Sequence, residues 1–157
     1  MKTIFSLITI FLILASWNNL HAQETNELEL SVIKEIPRDF DGCLGMYAYS
    51  IEDVTNEQYI LLDGWNGLES ELNNYFSYLK INQKLERLVL TERLIDESDS
   101  RNKTKKYENE SYSVILYQKY LKPYGYDSYL SEISLELRDK NNEDNILTIK
   151  LTGYVGC

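Results

Sequence analysis

From Glu27 onward, apolar and polar residues alternate in short runs. Leu28, Leu30 and Val32 interleave with Glu27, Glu29 and Ser31, the period of a half-buried strand. Pro37 and Asp41-Gly42 interrupt the pattern, and Leu44 to Ile51 (LGMYAYSI) then reads as a second strand, Tyr59 to Leu62 as a third. Asp63-Gly64 and Asn66-Gly67 mark turns. Leu68 to Leu79 carries two patterns at once. Leu68, Leu72, Tyr75, Phe76 and Leu79 fall at helical spacing, whereas Ser77 to Ile81 alternates. The reading is a short helix from Leu68 to about Asn74, a strand to Ile81, a turn at Asn82-Gln83 and a returning strand over Leu85 to Ile95. Asp96 to Lys106 has no apolar residue; it starts acidic, ends basic and reads as a mobile hairpin loop. Tyr107 to Leu121, Ser131 to Leu137 and Ile146 to Leu151 are further strands, the last two joined by the polar turn Lys140 to Asn145. The fold expected is mainly β: an antiparallel meander of about eight strands in up-and-down order, forming a small barrel, a curved sheet or a sandwich, with at most one short helix.

The first 22 residues follow a different pattern. Met1-Lys2 is a short positive segment, Ile4 to Trp17 is an apolar run, and small Ala22 precedes the expected cut. This is the order of a secretory signal peptide, so residues 23–157 form a single β-rich domain destined for the periplasm or the outside of the cell. No later apolar stretch reaches the roughly 18–20 residues that cross a bilayer, so no transmembrane segment is expected after cleavage. Cleavage also changes the chemistry. His21 is the only histidine, and it leaves with the signal. Ser-His-Asp and Cys-His mechanisms are then excluded, as are zinc sites that use histidine.

Of the 157 residues, 16 are basic and 25 acidic, and of these only Lys2 lies in the signal. The mature chain is therefore more acidic than the whole, whose formal charge is −9. Nucleic acid and anionic lipid are poor partners for such a chain, and a basic protein partner suits it better. Two cysteines remain, Cys43 and Cys157, each preceded by glycine. In an oxidising compartment they predict one disulfide tying the chain end to the second strand. A loop of roughly a hundred residues closed in this way is worth up to about 4.7 kcal/mol in the chain-entropy model. Two separate thiols are the alternative. No metal or cofactor is expected, because structural zinc usually takes four Cys or His ligands.

All 13 tyrosines lie in the mature part, and Tyr120, Tyr124, Tyr126 and Tyr129 cluster around Pro123 and Gly125. Such a loop is a possible partner-binding surface, since tyrosine joins apolar area to a polar tip; the alternative is that the rings cover the open end of the sheet. The carboxylates permit a glycosidase-type pair in principle, but none stands out from exposed strand faces, so no catalytic residue is assigned. Asp139 to Asp144 spaces oxygen side chains like a calcium loop yet lacks its sixth-position Gly and closing Glu, and reads as a hairpin turn.

Several segments together resemble a loose group of small exported bacterial proteins of unknown function. They are Asp41-Gly42-Cys43 leading into Met46-Tyr47-Ala48-Tyr49, then Tyr59 to Asp63, Tyr78 to Leu85, Tyr107 to Val114, and the terminal Gly153-Tyr154-Val155-Gly156-Cys157. That group often carries a Cys pair at each end, where this chain has one Cys, and the resemblance implies no activity. In the order of its features the chain is also similar to the periplasmic inhibitors of animal-type lysozyme, although Lys103 to Tyr107 (KTKKY) lacks their Ser-Gly-containing loop. The function expected is a secreted or periplasmic, non-enzymatic β domain that binds a protein or envelope component. An inhibitor or immunity protein against a basic hydrolase is the alternative, and a small carboxylate-based hydrolase the third.

Overall fold

A computed structural model describes residues 27–40, 44–65 and 72–156. Among them nine strands form one antiparallel sheet: β1 (Leu30–Ser31), β2 (Leu44–Ala48), β3 (Leu61–Trp65), β4 (Tyr75–Ile81), β5 (Lys84–Ile95), β6 (Lys103–Glu108), β7 (Tyr112–Pro123), β8 (Ser128–Asp139) and β9 (Asn142–Gly156). From β2 to β9 each strand pairs with its successor, and β9 returns to pair with β2, so eight strands close into an up-and-down barrel. β1 is the extra strand. It pairs with Lys80 and Ile81 of β4, just beyond the last β3 pair, Leu61 opposite Leu79. A short helix, α1 (Ile51–Thr55), joins β2 to β3. Of the three architectures open to the sequence, the barrel is the one formed.

Alternation decides what fills the barrel. Leu79 and Ile81 of β4, Leu88 and Leu90 of β5, Val114 and Leu116 of β7, Ile133, Leu135 and Leu137 of β8 and Leu151 of β9 point into one buried lumen cluster, which Leu28 and Leu30 join. β3 and β4 are apolar on their other face as well, because Leu62, Phe76 and Tyr78 pack outside the barrel under Ile33, Phe40 and Val54 of α1. The helix is capped by Ser50, whose Oγ accepts from the Asp53 N–H at 3.1 Å. The pattern missed α1 because Ile51 continues the alternation of the strand before it.

Several boundaries move from those expected. Asp63-Gly64 lies inside β3 rather than in a turn, and Tyr59 precedes the strand. Lys103–Glu108 is strand, so the polar run from Asp96 is a loop only to Asn102. That loop is tied down: Asn102 Oδ1 accepts from the Tyr120 N–H at 2.8 Å, and the Arg101 carbonyl accepts from Gln118 at 2.9 Å. The Tyr107 to Leu121 segment divides into β6 and β7, and Asn142 to Asn145 belongs to β9 rather than to a turn. Of the helix expected over Leu68–Asn74, Leu72–Asn74 is a 3-10 turn, and the rest lies outside the described residues. The Asn82-Gln83 turn is as expected, with φ of 47° and 68°, the two left-handed residues of a tight hairpin.

Closure of the barrel needs glycine at one seam position. A Cβ built on Gly153 would stand 2.1 Å from the Met46 carbonyl oxygen and 2.6 Å from the Tyr47 ring. The first of these neighbours is backbone and cannot swing aside. Gly153→Ala should therefore destabilise the protein by about 1–3 kcal/mol or more, read from urea denaturation; a smaller loss would mean that the seam yields.

Candidate functional site

The upper end of the barrel is where β3, β5, β7 and β9 finish and β4, β6 and β8 begin. Here the lumen turns polar. Asp63 on β3 points inward between Leu61 and Trp65 and is 1% exposed. Its two carboxylate oxygens take an ion pair from Lys105 Nζ on β6 and a 2.5 Å hydrogen bond from the Tyr107 hydroxyl. Lys105 is itself only 5% exposed. Neither charge would be tolerated there alone, since a buried charge must be paired.

Tyr47 of β2 lies beside this pair. Its ring runs along the wall over Gly45 and Gly153, where a side chain would collide with it. Its hydroxyl accepts from Ser131 Oγ of β8 at 3.1 Å. Burial pushes the Tyr47 and Tyr107 phenols well above their ordinary 10.0, and the negative charge of Asp63 adds to the rise in each. Both rings thus remain neutral hydroxyls at physiological pH.

Two bulges shape the rim. Leu88 and Leu90 of β5 face the lumen, but the register slips between Leu90 and Glu92, so Arg93 pairs with inward-facing Lys105. The Arg93 guanidinium lies 4.9 Å from the centre of the Tyr75 ring. A second slip, between Tyr120 and Lys122 of β7, ends the regular wall beside Tyr129. Tyr120 and Tyr129 pack with ring centres 5.5 Å apart, and Arg101 sits 3.5 Å above Tyr120 while pairing with Asp99. The Tyr129 hydroxyl accepts from Gln118 at 2.9 Å. Two donors close by have no hydrogen-bond partner among the described residues: the buried indole N–H of Trp65 and the hydroxyl of Ser77.

The four tyrosines singled out in the sequence are thus divided. Tyr120 and Tyr129 belong to this rim. Tyr124 stacks on Tyr154 with ring centres 4.4 Å apart, and Tyr126 stands 99% exposed at the loop tip. Cys43 and Cys157 lie outside the described residues. Sequence reasoning missed Asp63, Lys105, Tyr107 and Arg93. Asp63 precedes glycine and looked like a turn, and Lys105 sits in a charged run. The available signal was the alternation Lys103, Lys105, Tyr107. No protein-family model matches this chain, and neither a curated protein nor a solved structure does. No group of three or more His, Cys, Asp or Glu able to hold a metal occurs among the described residues. The arrangement offers hydrogen-bond donors, aromatic faces and an extra cation, the chemistry of binding.

Removing one member of the central pair strands the other. Asp63→Asn and Lys105→Met should each cost about 3–5 kcal/mol, while the double variant loses less than the sum, read from a double-mutant cycle in urea. The tyrosines give a pH signature. Their folded-state values are raised, so the stability they contribute is complete below pH 10 and is lost as pH rises from about 10 through those values. Melting temperature should fall steeply above pH 10, and Tyr107→Phe should flatten part of that fall.

Proposed function

We propose that this chain is an exported, non-enzymatic binding domain that engages a protein or envelope component at the upper rim of its barrel. The observation that carries this reading is the composition of that rim. Strand ends hold Tyr120 against Tyr129 with Arg101 over the Tyr120 ring, and the loop between β7 and β8 lifts Tyr126 clear of the surface. Tyrosine and arginine on a rigid frame are the residues that carry binding energy at interfaces. The Asp63–Lys105 pair below them is internally neutralised, which favours a supporting role over that of an acid or base. The alternative reading, an acidic inhibitor or immunity protein for a basic hydrolase, is supported by the net charge and by the carboxylates of Glu132 and Glu136 on the barrel wall.

Export would act on the seam as well. The last pair between β2 and β9 is Leu44 opposite Gly156, and the next residues along the two chains are Cys43 and Cys157. A disulfide there would lock the strand pair that closes the barrel. Mass spectrometry of the secreted protein should find cleavage after Ala22 and a mass two hydrogens below the reduced form. Free thiols in that form would remove this part of the reading.

The rim is tested by capture from envelope extract. Tyr126→Ala should abolish capture of any partner held by the wild type while leaving stability within about 0.5 kcal/mol, because the side chain touches solvent almost entirely. A partner retained equally by both forms would move the interface elsewhere. Capture that is lost only at high salt would favour the acidic-inhibitor alternative.

A further inference from the structure

We propose that the upper lumen, between Trp65, Ser77 and Arg93, binds a small planar organic carboxylate. This site lies inside the barrel and does not depend on a protein partner at the rim. Three observations converge on it. The first is the pair of orphan donors. Ser77 is 0% exposed and its hydroxyl has no partner among the described residues; the Trp65 indole N–H is buried and equally unpartnered there. An unsatisfied buried donor costs free energy, so two on one surface call for an acceptor.

The second is their placement. Trp65 pairs with Tyr75 and Asp63 with Ser77 across the β3–β4 ladder, so Trp65 and Ser77 are diagonal neighbours on the same inward face. Asp63 accepts from Lys105 and Tyr107, and neither the Trp65 indole nor the Ser77 hydroxyl is hydrogen-bonded to it. The third is charge. The β5 bulge turns Arg93 to the inward side directly opposite Lys105. Asp63 compensates Lys105, whereas Arg93 rests on the Tyr75 ring and forms no ion pair among the described residues. One positive charge is therefore left over in a chain whose overall charge is strongly negative.

A carboxylate would supply what all three groups lack: acceptor oxygens for the indole N–H and the hydroxyl, and a counter-charge for the guanidinium. The rings of Trp65, Tyr75 and Tyr129, which pack around the lumen cluster, favour a flat body behind that carboxylate.

Benzoate is the probe, with neutral benzamide and inorganic phosphate as comparison ligands, each titrated into the full chain by calorimetry up to 10-fold above the benzoate Kd. Benzoate should bind at least about tenfold more tightly than either, since a charged hydrogen-bonded pair is worth that much or more. Arg93→Gln should lose at least about tenfold in benzoate affinity, and Arg93→Lys less. Ser77→Ala provides a second signature, with benzoate affinity falling while the melting temperature stays level or rises, because an orphan hydroxyl has been removed. A control at the outer wall, Lys119→Gln, should bind as the wild type does. Absence of benzoate binding at 10 mM would overturn the proposal. So would equal affinity for benzamide or phosphate, unchanged affinity in Arg93→Gln, or a Ser77→Ala variant that loses stability and keeps binding.

Discussion

The contact on which the rest of the molecule depends is the pairing of β2 with β9. It joins residues 44–48 to residues 152–156, the two ends of the meander, and turns an open sheet into a barrel without edges. An open eight-stranded sheet would expose two rows of unpaired backbone groups. Closure removes both at once. It also carries the highest loop-closure cost in the chain, since nearly all of the domain lies between the partners. Gly153 makes the close approach to Met46 possible, and Tyr47 fills the space that Gly45 and Gly153 leave empty. The seam is therefore built as much by what is missing from its side chains as by what is present.

Closure then constrains the interior. Eight strands enclose a space just wide enough to be filled by side chains or to hold one small ligand, so each inward position bears on what the lumen can contain. In the lower half that is simple, because leucine and isoleucine interdigitate and bury apolar area. In the upper half the inward positions include the polar side chains Asp63, Ser77, Lys105, Gln118 and Ser131. Burying this set gives less stability than leucines would, and a paired charge at the centre roughly offsets its own desolvation at best. Such a layer is not what packing alone would select, and its two donors and arginine, unpaired among the described residues, are groups suited to binding.

The legibility of the sequence follows the same division. Ser131 to Leu137 could be read directly, because its inward residues are Ile133, Leu135 and Leu137 and its outward ones are polar. The up-and-down order and the Asn82-Gln83 hairpin were equally open to view. Reading failed most where an inward residue was charged. Lys103–Glu108 alternates as cleanly as any strand, but its inward members are Lys105 and Tyr107, and the surrounding charges hide the period. Asp63-Gly64 resembles a turn because glycine there makes room for Phe40 and Phe76 outside the barrel, a packing reason that no local rule contains. The β5 bulge is invisible for a related cause. Leu88, Leu90 and Leu94 look like one face, yet Leu94 is 59% exposed once the register has slipped.

The bulges connect fold to site. In a strand, shifting the register by one residue exchanges its two faces. On β5 the slip removes Leu94 from the lumen and brings in Arg93; on β7 pairing resumes beyond it, with Lys122 opposite Leu130 and Pro123 opposite Tyr129. Had β5 remained regular, its inward residues above Leu90 would have been Glu92 and Leu94. The lumen would then hold a carboxylate beside Asp63 in place of a guanidinium, with two like charges close together in a dry interior and no orphan cation. A single inserted residue thus decides both the sign of the charge at the rim and the class of ligand it can accept. That makes Thr91, the residue at the slip, as consequential for binding as any side chain that would touch the ligand.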